Sequence, residues 1–267
     1  MIVAKKKFGQ NFLKDSLILD KIIQSIPKNA ENIVEIGPGL GDLTRNLLKS
    51  YKVKSFEIDN DLYQILCQNF ATEIKNRDLE LVLGDVLEIW ENSLSEKPYF
   101  LVANLPYYIA TNIILRAIED PLCEGLVVMV QKEVAQKFCA VSGKREFGAI
   151  SVLASLCGGV QYLFEVPPHA FEPAPKVISA VMRIEKTRNP FQSMEQKRDF
   201  EAFLRVCFAS PRKTLAKNLS AIAPKSDITQ IFEELEIFEN TRPHELNFAL
   251  FLDIFKKLKV KNGREKN

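Results

Sequence analysis

Histidine and cysteine, the residues that build metal centres and disulfide frameworks, are scarce in this sequence. Two histidines, at positions 169 and 244, are too few for a histidine-rich metal centre and give little support to a Ser-His-Asp triad. Five cysteines, an odd number, are scattered along 267 residues without a Cys-x-x-Cys spacing, which argues against a zinc site and a disulfide framework. We therefore expect no metal, and thiols that are reduced and mostly buried.

Long hydrophobic runs are also absent. No apolar stretch approaches the roughly 18 residues of a membrane span, and 46% hydrophobic with 26% charged residues is ordinary for a soluble globular protein. The N-terminus has basic residues but no following apolar block with a small-residue cleavage site, so no secretory signal is predicted. These absences predict a soluble, cytoplasmic protein with no membrane partner.

The formal net charge of +2 hides an uneven distribution of basic residues. Such local groups permit binding to phosphate backbones even when the overall charge is small. The alternative is a solvated lysine surface, which we favour for the basic tail that ends near Lys266. The two groups are Lys5, Lys6, Lys7 and Lys14 near the N-terminus, and Arg205, Arg212, Lys213 and Lys217 in the C-terminal part.

Short apolar runs alternate with helix-length amphipathic segments through the first two-thirds of the chain. This order predicts βαβ units and an α/β fold with a mainly parallel sheet covered by helices on both faces. The last two runs are joined by a proline-rich segment instead of a helix, so we expect them to form an antiparallel pair that closes the sheet. The seven predicted strands span residues 33–36, 53–58, 79–83, 99–103, 126–130, 161–166 and 177–184.

Strand-like patterns end near residue 187. Beyond it, apolar residues recur at helical spacing, as in Phe200, Phe203, Leu204, Cys207 and Phe208. The sequence therefore predicts two domains: residues 1–187 form the α/β domain, and residues 188–267 form a small all-helical domain of about four helices.

A glycine-rich turn follows the first strand of the α/β domain. Glycines at positions 37, 39 and 41 let the backbone turn sharply and approach a ligand, and an acid, Glu35, precedes them. A dinucleotide fingerprint would require glycine at position 42, where Asp42 stands and would repel a pyrophosphate. This turn disfavours a nicotinamide-dependent dehydrogenase.

Polar side chains also follow the next three strands. Glu57 and Asp59 are placed to accept hydrogen bonds from ribose hydroxyls, and Asp85 can accept from an adenine amine. The ends of parallel strands meet at one edge of a sheet, so these acids and Asn104 are expected to converge there. Acidic surroundings suit the sulfonium cation of S-adenosylmethionine better than a nucleotide phosphate. For any single acid, a helix cap is the alternative.

The fourth strand ends at the sequence Asn104-Leu105-Pro106-Tyr107. The Asn104 oxygen and a carbonyl made available by the Pro106 turn can accept both hydrogens of an exocyclic amine, while Tyr107 offers a face for stacking. These residues predict alkylation of the nitrogen of an amine-bearing base. Phe171 is a candidate for the other face of that base, and a core position is equally compatible with it. By itself the tetrapeptide is also compatible with an ordinary strand-to-helix turn.

Taken in order, the motifs resemble the KsgA (RsmA) family of ribosomal RNA adenine dimethyltransferases over nearly the whole chain. The resemblance implies a Rossmann-like class I methyltransferase fold and S-adenosylmethionine as cofactor. It assigns cofactor binding to Asn11, Leu13, Gly37, Glu57, Asp85 and Asn104. The matching segments are 7–13, 35–39, 57–59, 84–85, 104–107, 131–134, 171–179 and 208–215.

The resemblance also implies a reaction and a partner. Two methyl groups would be transferred to N6 of each of two adjacent adenosines near the 3′ end of small-subunit rRNA, within an immature small ribosomal subunit. Arg212 and Lys213 lie in a segment similar to one in the family's helical domain, and we expect them to contact rRNA. We also expect a monomer. Tyr108 and His244 depart from residues common at these positions in the family.

Other functions remain open at this point. An Erm-type enzyme that methylates large-subunit rRNA shares this chemistry and fold, although the segments 9–13 and 171–179 are nearer to KsgA. A non-catalytic assembly factor that checks the small subunit is the alternative from another class. A DNA adenine methyltransferase is less favoured because no additional target-recognition domain is present.

Overall fold

The computed structural model describes residue 5, residues 10–188, residue 191 and residues 193–264. The predicted basic residues Lys6, Lys7 and Lys266 and the segment 7–9 lie outside the described residues. The chain divides into two compact units. The first unit contains Met1–Ala135 and Gly159–Thr187, and the second contains Gln136–Gly158 and Arg188–Asn267.

A seven-stranded sheet forms the centre of the first unit, as the sequence predicts. The strand order across the sheet is β4-β3-β2-β5-β6-β9-β7, and a separate two-stranded sheet pairs β1 with β8. The strands are β1 (Phe12–Leu13), β2 (Asn32–Ile36), β3 (Lys52–Glu57), β4 (Leu79–Leu83), β5 (Tyr99–Asn104), β6 (Cys123–Gln131), β7 (Gly158–Val166), β8 (Phe171–Glu172) and β9 (Ser179–Lys186).

The pairing of the strands confirms a mainly parallel sheet. Strand β2 is parallel to β3 and β5, β3 is parallel to β4, and β5 is parallel to β6. Strand β9 runs antiparallel to β6, with Gln131 opposite Ser179. The two strands joined by the proline-rich segment are neighbours, and the earlier one, β7, occupies the edge of the sheet while β9 lies inside it.

The longer helices of the first unit, such as α6, bury an apolar face. In α6, buried residues recur at intervals of three and four from Ala110 to Ile118, which places them on one face of the helix. Asp15 caps α1 by accepting hydrogen bonds from the backbone N–H groups of Leu17 and Ile18. The helices are α1 (Ser16–Gln24), α2 (Asp42–Leu47), α3 (Asn60–Asn69), α4 (Ala71–Lys75), α5 (Val86–Ile89), α6 (Ala110–Glu119) and α7 (Lys132–Cys139), the last of which continues past the boundary of the unit.

The second unit is helical. After residue 187 the described part of the chain forms four α-helices: α9 (Met194–Cys207), α10 (Leu215–Leu219), α11 (Lys225–Glu234) and α12 (Phe248–Arg264). The rings of Phe200 and Phe255 contact each other edge to face at 5.2 Å between centroids, inside the core of this unit. An earlier helix, α8 (Ala149–Cys157), contacts α9 and α12 and belongs to the same unit. The sequence-based division placed α8 in the first domain, because along the chain it stands between two strands.

None of the helices formed by the described residues combines the length and the apolar character needed to cross a membrane.

Candidate active site

A cavity opens in the first unit where β2, β3, β4 and β5 end. Its wall is drawn from five segments, residues 10–13, 35–43, 56–62, 84–86 and 104–109. The four strands are parallel, so their carboxyl ends lie at one edge of the sheet, the place where open α/β sheets bind ligands. The cavity therefore brings together the segments that the sequence singles out.

The glycine-rich turn after β2 has the backbone conformation that its glycines predict. Gly37 and Gly39 have φ angles of +68° and +60°, which residues other than glycine rarely adopt. A Cβ atom at Gly39 would also lie 3.0 Å from the ring of Phe12. The Gly39 N–H donates to Glu57 Oε2 at 3.2 Å, so the turn is tied to the end of β3.

Glu57 is a buried carboxylate held by backbone donors. Its Oε1 accepts from the Asp59 N–H at 2.8 Å while its Oε2 accepts from Gly39, and the residue is 3% exposed. Burial raises the pKa of Glu57 above its ordinary value, and these backbone hydrogen bonds limit the rise. Each carboxylate oxygen retains a second lone pair, so Glu57 can still accept from two hydroxyls at the cavity.

Asp59 has another role than the predicted binding of ribose. Its carboxylate accepts from Lys5 Nζ at 2.6 Å and from Gln10 Nε2 at 3.0 Å, and it caps α3 through the Asp61 N–H. Burial opposes ionisation of Asp59, but these hydrogen bonds outweigh it and lower the pKa of the carboxyl below its ordinary value. Asp59 is absent from the cavity wall and anchors the segment that leads into β1.

One carboxylate oxygen of Asp85 caps α5, and the other can accept a hydrogen bond from a ligand in the cavity. Its Oδ1 accepts from the Leu87 N–H at 2.9 Å, and no donor among the described residues lies within hydrogen-bond distance of Oδ2. Two apolar residues, Ile58 and Val86, line the same cavity as this carboxylate. Ile58 is 41% exposed, unusual for isoleucine, and offers a surface on which a planar ring can stack.

The amide of Asn104 has a fixed orientation. Its Nδ2 donates to the Asn11 carbonyl at 3.0 Å, which leaves Oδ1 as an acceptor on the cavity wall without a described donor. The Pro106 carbonyl accepts from the Ile109 N–H at 3.2 Å. The Leu105 carbonyl has no donor among the described residues, so it is the second acceptor that this turn makes available.

Tyr107 is held by a buried serine. Its hydroxyl lies 2.6 Å from Ser179 Oγ at the start of β9, and Ser179 is fully buried. Burial raises the pKa of Tyr107, which keeps the phenol neutral. The ring therefore stands in a fixed position on the cavity wall, while the neighbouring Tyr108 is 61% exposed at the same wall.

The remaining predicted residues divide between three locations. Asn11 and Leu13 line the cavity, where Leu13 is paired with Phe171 in the small sheet. Phe171 is 5% exposed, packs in the hydrophobic core and does not line the cavity. Of the two alternatives that the sequence allowed for Phe171, the structure supports the core position. Arg212 and Lys213 are exposed residues of the second unit and line a separate cleft there.

Sequence reasoning missed the partners that orient these groups. Lys5 and Gln10 hold Asp59, and Ser179 holds Tyr107. Each partner lies more than 45 residues from its acceptor, so no local pattern could indicate the contact. Gln10 and Ser179 carried a signal, because they belong to the segments 7–13 and 171–179 that resemble the family.

Glu35 forms a buried acid network beneath the glycine-rich turn. Its Oε2 accepts from Thr44 Oγ1 at 2.7 Å and from Ser55 Oγ at 2.8 Å, and all three residues are at most 1% exposed. Burial raises the pKa of Glu35 to about 7, against the effect of the two hydroxyl donors. The carboxyl is therefore half-ionised near neutral pH.

This pKa predicts that stability falls as the pH rises from about 4.5 to about 7. Between the ordinary value of 4.5 and about 7 the folded protein binds the proton of Glu35 more tightly than the unfolded chain does, so the free energy of unfolding falls as the pH rises. Glu35→Gln removes this dependence. Relative to the wild type, the variant should gain about 2–3 kcal/mol between pH 5 and pH 8, measured by urea unfolding. An equal difference at both pH values would contradict the raised pKa.

Comparisons with known proteins show the family of this chain. The family model for ribosomal RNA adenine dimethylase matches residues 1–260. The chain belongs to the ribosomal RNA adenine dimethylase family. A relative from Campylobacter hominis, named ribosomal RNA small subunit methyltransferase A, is 60% identical over 269 residues, which cover 100% of both chains. A protein of the same name from Campylobacter jejuni is 49% identical and covers 99% of this chain and 98% of its own.

Solved structures support the same dimethylase fold. A dimethyladenosine transferase from Plasmodium falciparum superposes with a TM-score of 0.80 at 26% identity, over 96% of this chain and 98% of that one. The 23S rRNA methyltransferase ErmE superposes with a TM-score of 0.74 over 93% of this chain and 100% of its own; at 23% identity it shows the fold alone. Membership of a methyltransferase family implies use of S-adenosylmethionine and excludes the dehydrogenase alternative.

Proposed function

We propose that this chain, acting as a monomer in the cytoplasm, dimethylates N6 of two adjacent adenosines near the 3′ end of small-subunit rRNA in an immature small subunit. The supporting observation is the Asn104 amide. Its nitrogen is bound to the Asn11 carbonyl, so its oxygen is held as an acceptor on the cavity wall.

The charges of the cavity wall fit S-adenosylmethionine. The lining residues include four acids, Glu35, Asp42, Glu57 and Asp85, and none of the described lining residues is lysine or arginine. Such a wall suits a cationic sulfonium and an adenosine and would repel phosphates. Glu57 would accept from the ribose hydroxyls, Asp85 Oδ2 from the adenine amine, and Ile58 would contact the adenine ring. Bound there, S-adenosylmethionine supplies an electrophilic methyl group.

The chain contributes to the reaction by positioning the acceptor nitrogen. The lone pair of an adenine amine is delocalised into the ring. Asn104 Oδ1 and the Leu105 carbonyl would accept the two amine hydrogens, draw the nitrogen toward a pyramidal geometry and direct its lone pair at the methyl group. Tyr107, fixed by Ser179, would stack on the extruded base. Catalysis then depends on orientation and electrostatics, because the described residues that line the cavity include no histidine or lysine to act as a base.

The relatives favour the small subunit as substrate. Proteins 49–60% identical over nearly the full chain are named for the small subunit, whereas ErmE is a distant match in fold. The catalytic turn is intact, which argues against a purely non-catalytic assembly factor. Arg212 and Lys213 are exposed, and no described residue forms an ion pair with them, so they are available to rRNA phosphates.

Methyl transfer to isolated subunits tests the proposal. Purified protein and radiolabelled S-adenosylmethionine are incubated with undermethylated small subunits and, in parallel, with large subunits, and the modified bases are mapped. We expect label only at two adjacent adenosines near the 3′ end of the small-subunit rRNA. Label on large subunits, or no label on either, would overturn the assignment; binding of S-adenosylmethionine without transfer would instead support an assembly factor.

A further inference from the structure

A second cleft lies within the helical unit and combines basic side chains with one exposed aromatic ring. We call it the basic-aromatic cleft. We propose that it binds an unpaired nucleotide of the rRNA, with the base stacked on Phe238 and the phosphates at the surrounding cations; this rests on rRNA being the substrate. The residues that define the cleft are Arg212, Lys213, Lys217, Phe238 and Arg242.

Phe238 is displayed by a well-fixed loop. It is 79% exposed, the largest value among the described large hydrophobic residues. Helix α11 ends at Glu234 and is followed by Glu236 at a φ of +55°; the Ile237 N–H donates to the Phe232 carbonyl at 2.8 Å, which closes the helix. The Thr241 N–H then donates to the Phe238 carbonyl at 3.0 Å. Backbone hydrogen bonds before and after Phe238 therefore hold this residue where its ring is exposed to water. Exposure of an apolar ring costs free energy, and a base stacked on the ring would offset that cost.

The turn that carries Arg212 and Lys213 is fixed as well. Asn218 is 7% exposed and binds both backbone groups of Ser210: its Oδ1 accepts from the N–H and its Nδ2 donates to the carbonyl, each at 3.2 Å. The Lys213 N–H also donates to the Ser210 carbonyl at 2.9 Å. The backbone that carries Arg212 and Lys213 into the cleft is thus held by hydrogen bonds.

The cleft has an excess of positive charge. Its lining has four cations, and the described part of the chain provides no ion pair to any of them. Two acids, Glu236 and Glu245, also line it, and Glu245 Oε2 accepts from the Arg242 N–H at 2.7 Å. Unpaired cations around an aromatic face are the combination with which proteins bind single-stranded nucleic acid. One exposed ring is too small an apolar surface for membrane insertion.

Tryptophan fluorescence of the Phe238→Trp variant tests the inference directly. The native Trp90 is 1% exposed in the first unit and serves as an internal reference. Addition of a single-stranded adenylate hexamer should quench the new tryptophan, because a stacked base quenches indole emission, and a duplex RNA of equal charge should quench it less. Absence of quenching by the hexamer would overturn the inference. So would a blue shift with phosphatidylglycerol vesicles and no response to RNA, which would indicate a membrane surface.

Substitutions separate stacking from charge. Phe238→Ala and Phe238→Leu should both weaken binding of the hexamer about tenfold with an unchanged salt dependence, since only an aromatic ring stacks. Arg212→Ala combined with Lys213→Ala should lower the slope of log affinity against log salt by about 1.4, the value for two phosphate contacts on a single strand. Phe238→Leu binding as tightly as the wild type would overturn the stacking role.

A matched control replaces Leu17, which is 71% exposed in the first unit, with alanine. This change should leave binding of the hexamer unaltered, and an equal loss of binding in Leu17→Ala and Phe238→Ala would overturn the assignment to the cleft. The assay needs no methyl transfer. Quenching without label on small subunits would overturn the proposed function alone, and label without quenching would overturn the cleft alone.

Discussion

Replacing Asn104 with alanine should reduce methyl transfer to small subunits by about a thousandfold, because a preorganised group aimed at the reacting atom is removed. Binding of S-adenosylmethionine should weaken only modestly, since Glu57 and Asp85 remain in place. The substitution removes the oxygen that would accept an amine hydrogen and also removes the hydrogen bond from Asn104 Nδ2 to the Asn11 carbonyl. Single-turnover methylation at saturating cofactor, together with equilibrium cofactor binding, measures the two effects separately.

Asn32→Ala is a matched control for this change. The Asn32 amide also donates to a backbone carbonyl at 3.0 Å, that of Pro98, but Asn32 lies at the start of β2 and not at its carboxyl end. This variant should keep the wild-type rate. A wild-type rate of methyl transfer in Asn104→Ala would contradict the proposed catalytic role of the amide. An equal loss of rate in Asn32→Ala would show that losing any amide-to-carbonyl hydrogen bond has this effect.

Glu57→Ala should weaken binding of S-adenosylmethionine by a few hundredfold. The change removes the carboxylate that would bind both ribose hydroxyls, and hydrogen bonds to a charged acceptor contribute about 1.5–3 kcal/mol each. It also leaves the N–H groups of Gly39 and Asp59 unpaired in a buried site, which loosens the glycine-rich turn. Calorimetric titration of the cofactor measures the loss, and kcat at saturating cofactor should fall much less than kcat/KM.

Glu80→Ala provides the comparison for Glu57. Glu80 lies on the neighbouring strand β4, is exposed, and forms a surface ion pair with Lys54 at 2.9 Å. Such pairs contribute about 0–1 kcal/mol to stability, so this variant should bind the cofactor like the wild type. Wild-type affinity in Glu57→Ala would show that the ribose is recognised elsewhere.

Much of the α/β unit could be predicted because its central strands are buried on both faces. Residues 99–103 of β5 are at most 3% exposed, so a continuous apolar run marks the strand and its polar neighbour Asn104 marks the end. The order of the edge strands could not be predicted in the same way. Strand β9 lies between β6 and β7, and which of two apolar strands occupies an edge depends on pairing that no local pattern encodes.

The assignment of α8 shows the same limit. Its apolar character predicts a buried helix but is equally compatible with packing on the sheet or on other helices. In the structure α8 packs with α9 and α12, two helices that begin about 40 or more positions later in the chain. The sequence also could not tell which of the two acids at the end of β3 lines the cavity, because Asp59 is bound instead by Lys5 and Gln10, which are distant along the chain.

The sequence by itself determined the chemistry of this protein. A glycine-rich turn, two acids and an amide follow successive apolar strands in the sequence. Because the carboxyl ends of parallel strands meet at one edge of the sheet, the sequence predicts that these groups form one site. Only the tertiary structure decided what each group does. Contacts between distant residues aim the Asn104 oxygen through Asn11, hold Tyr107 through Ser179, and assign Phe171 to the core. Hydrogen bonds and burial depend on neighbours in space, and these neighbours are set by the fold.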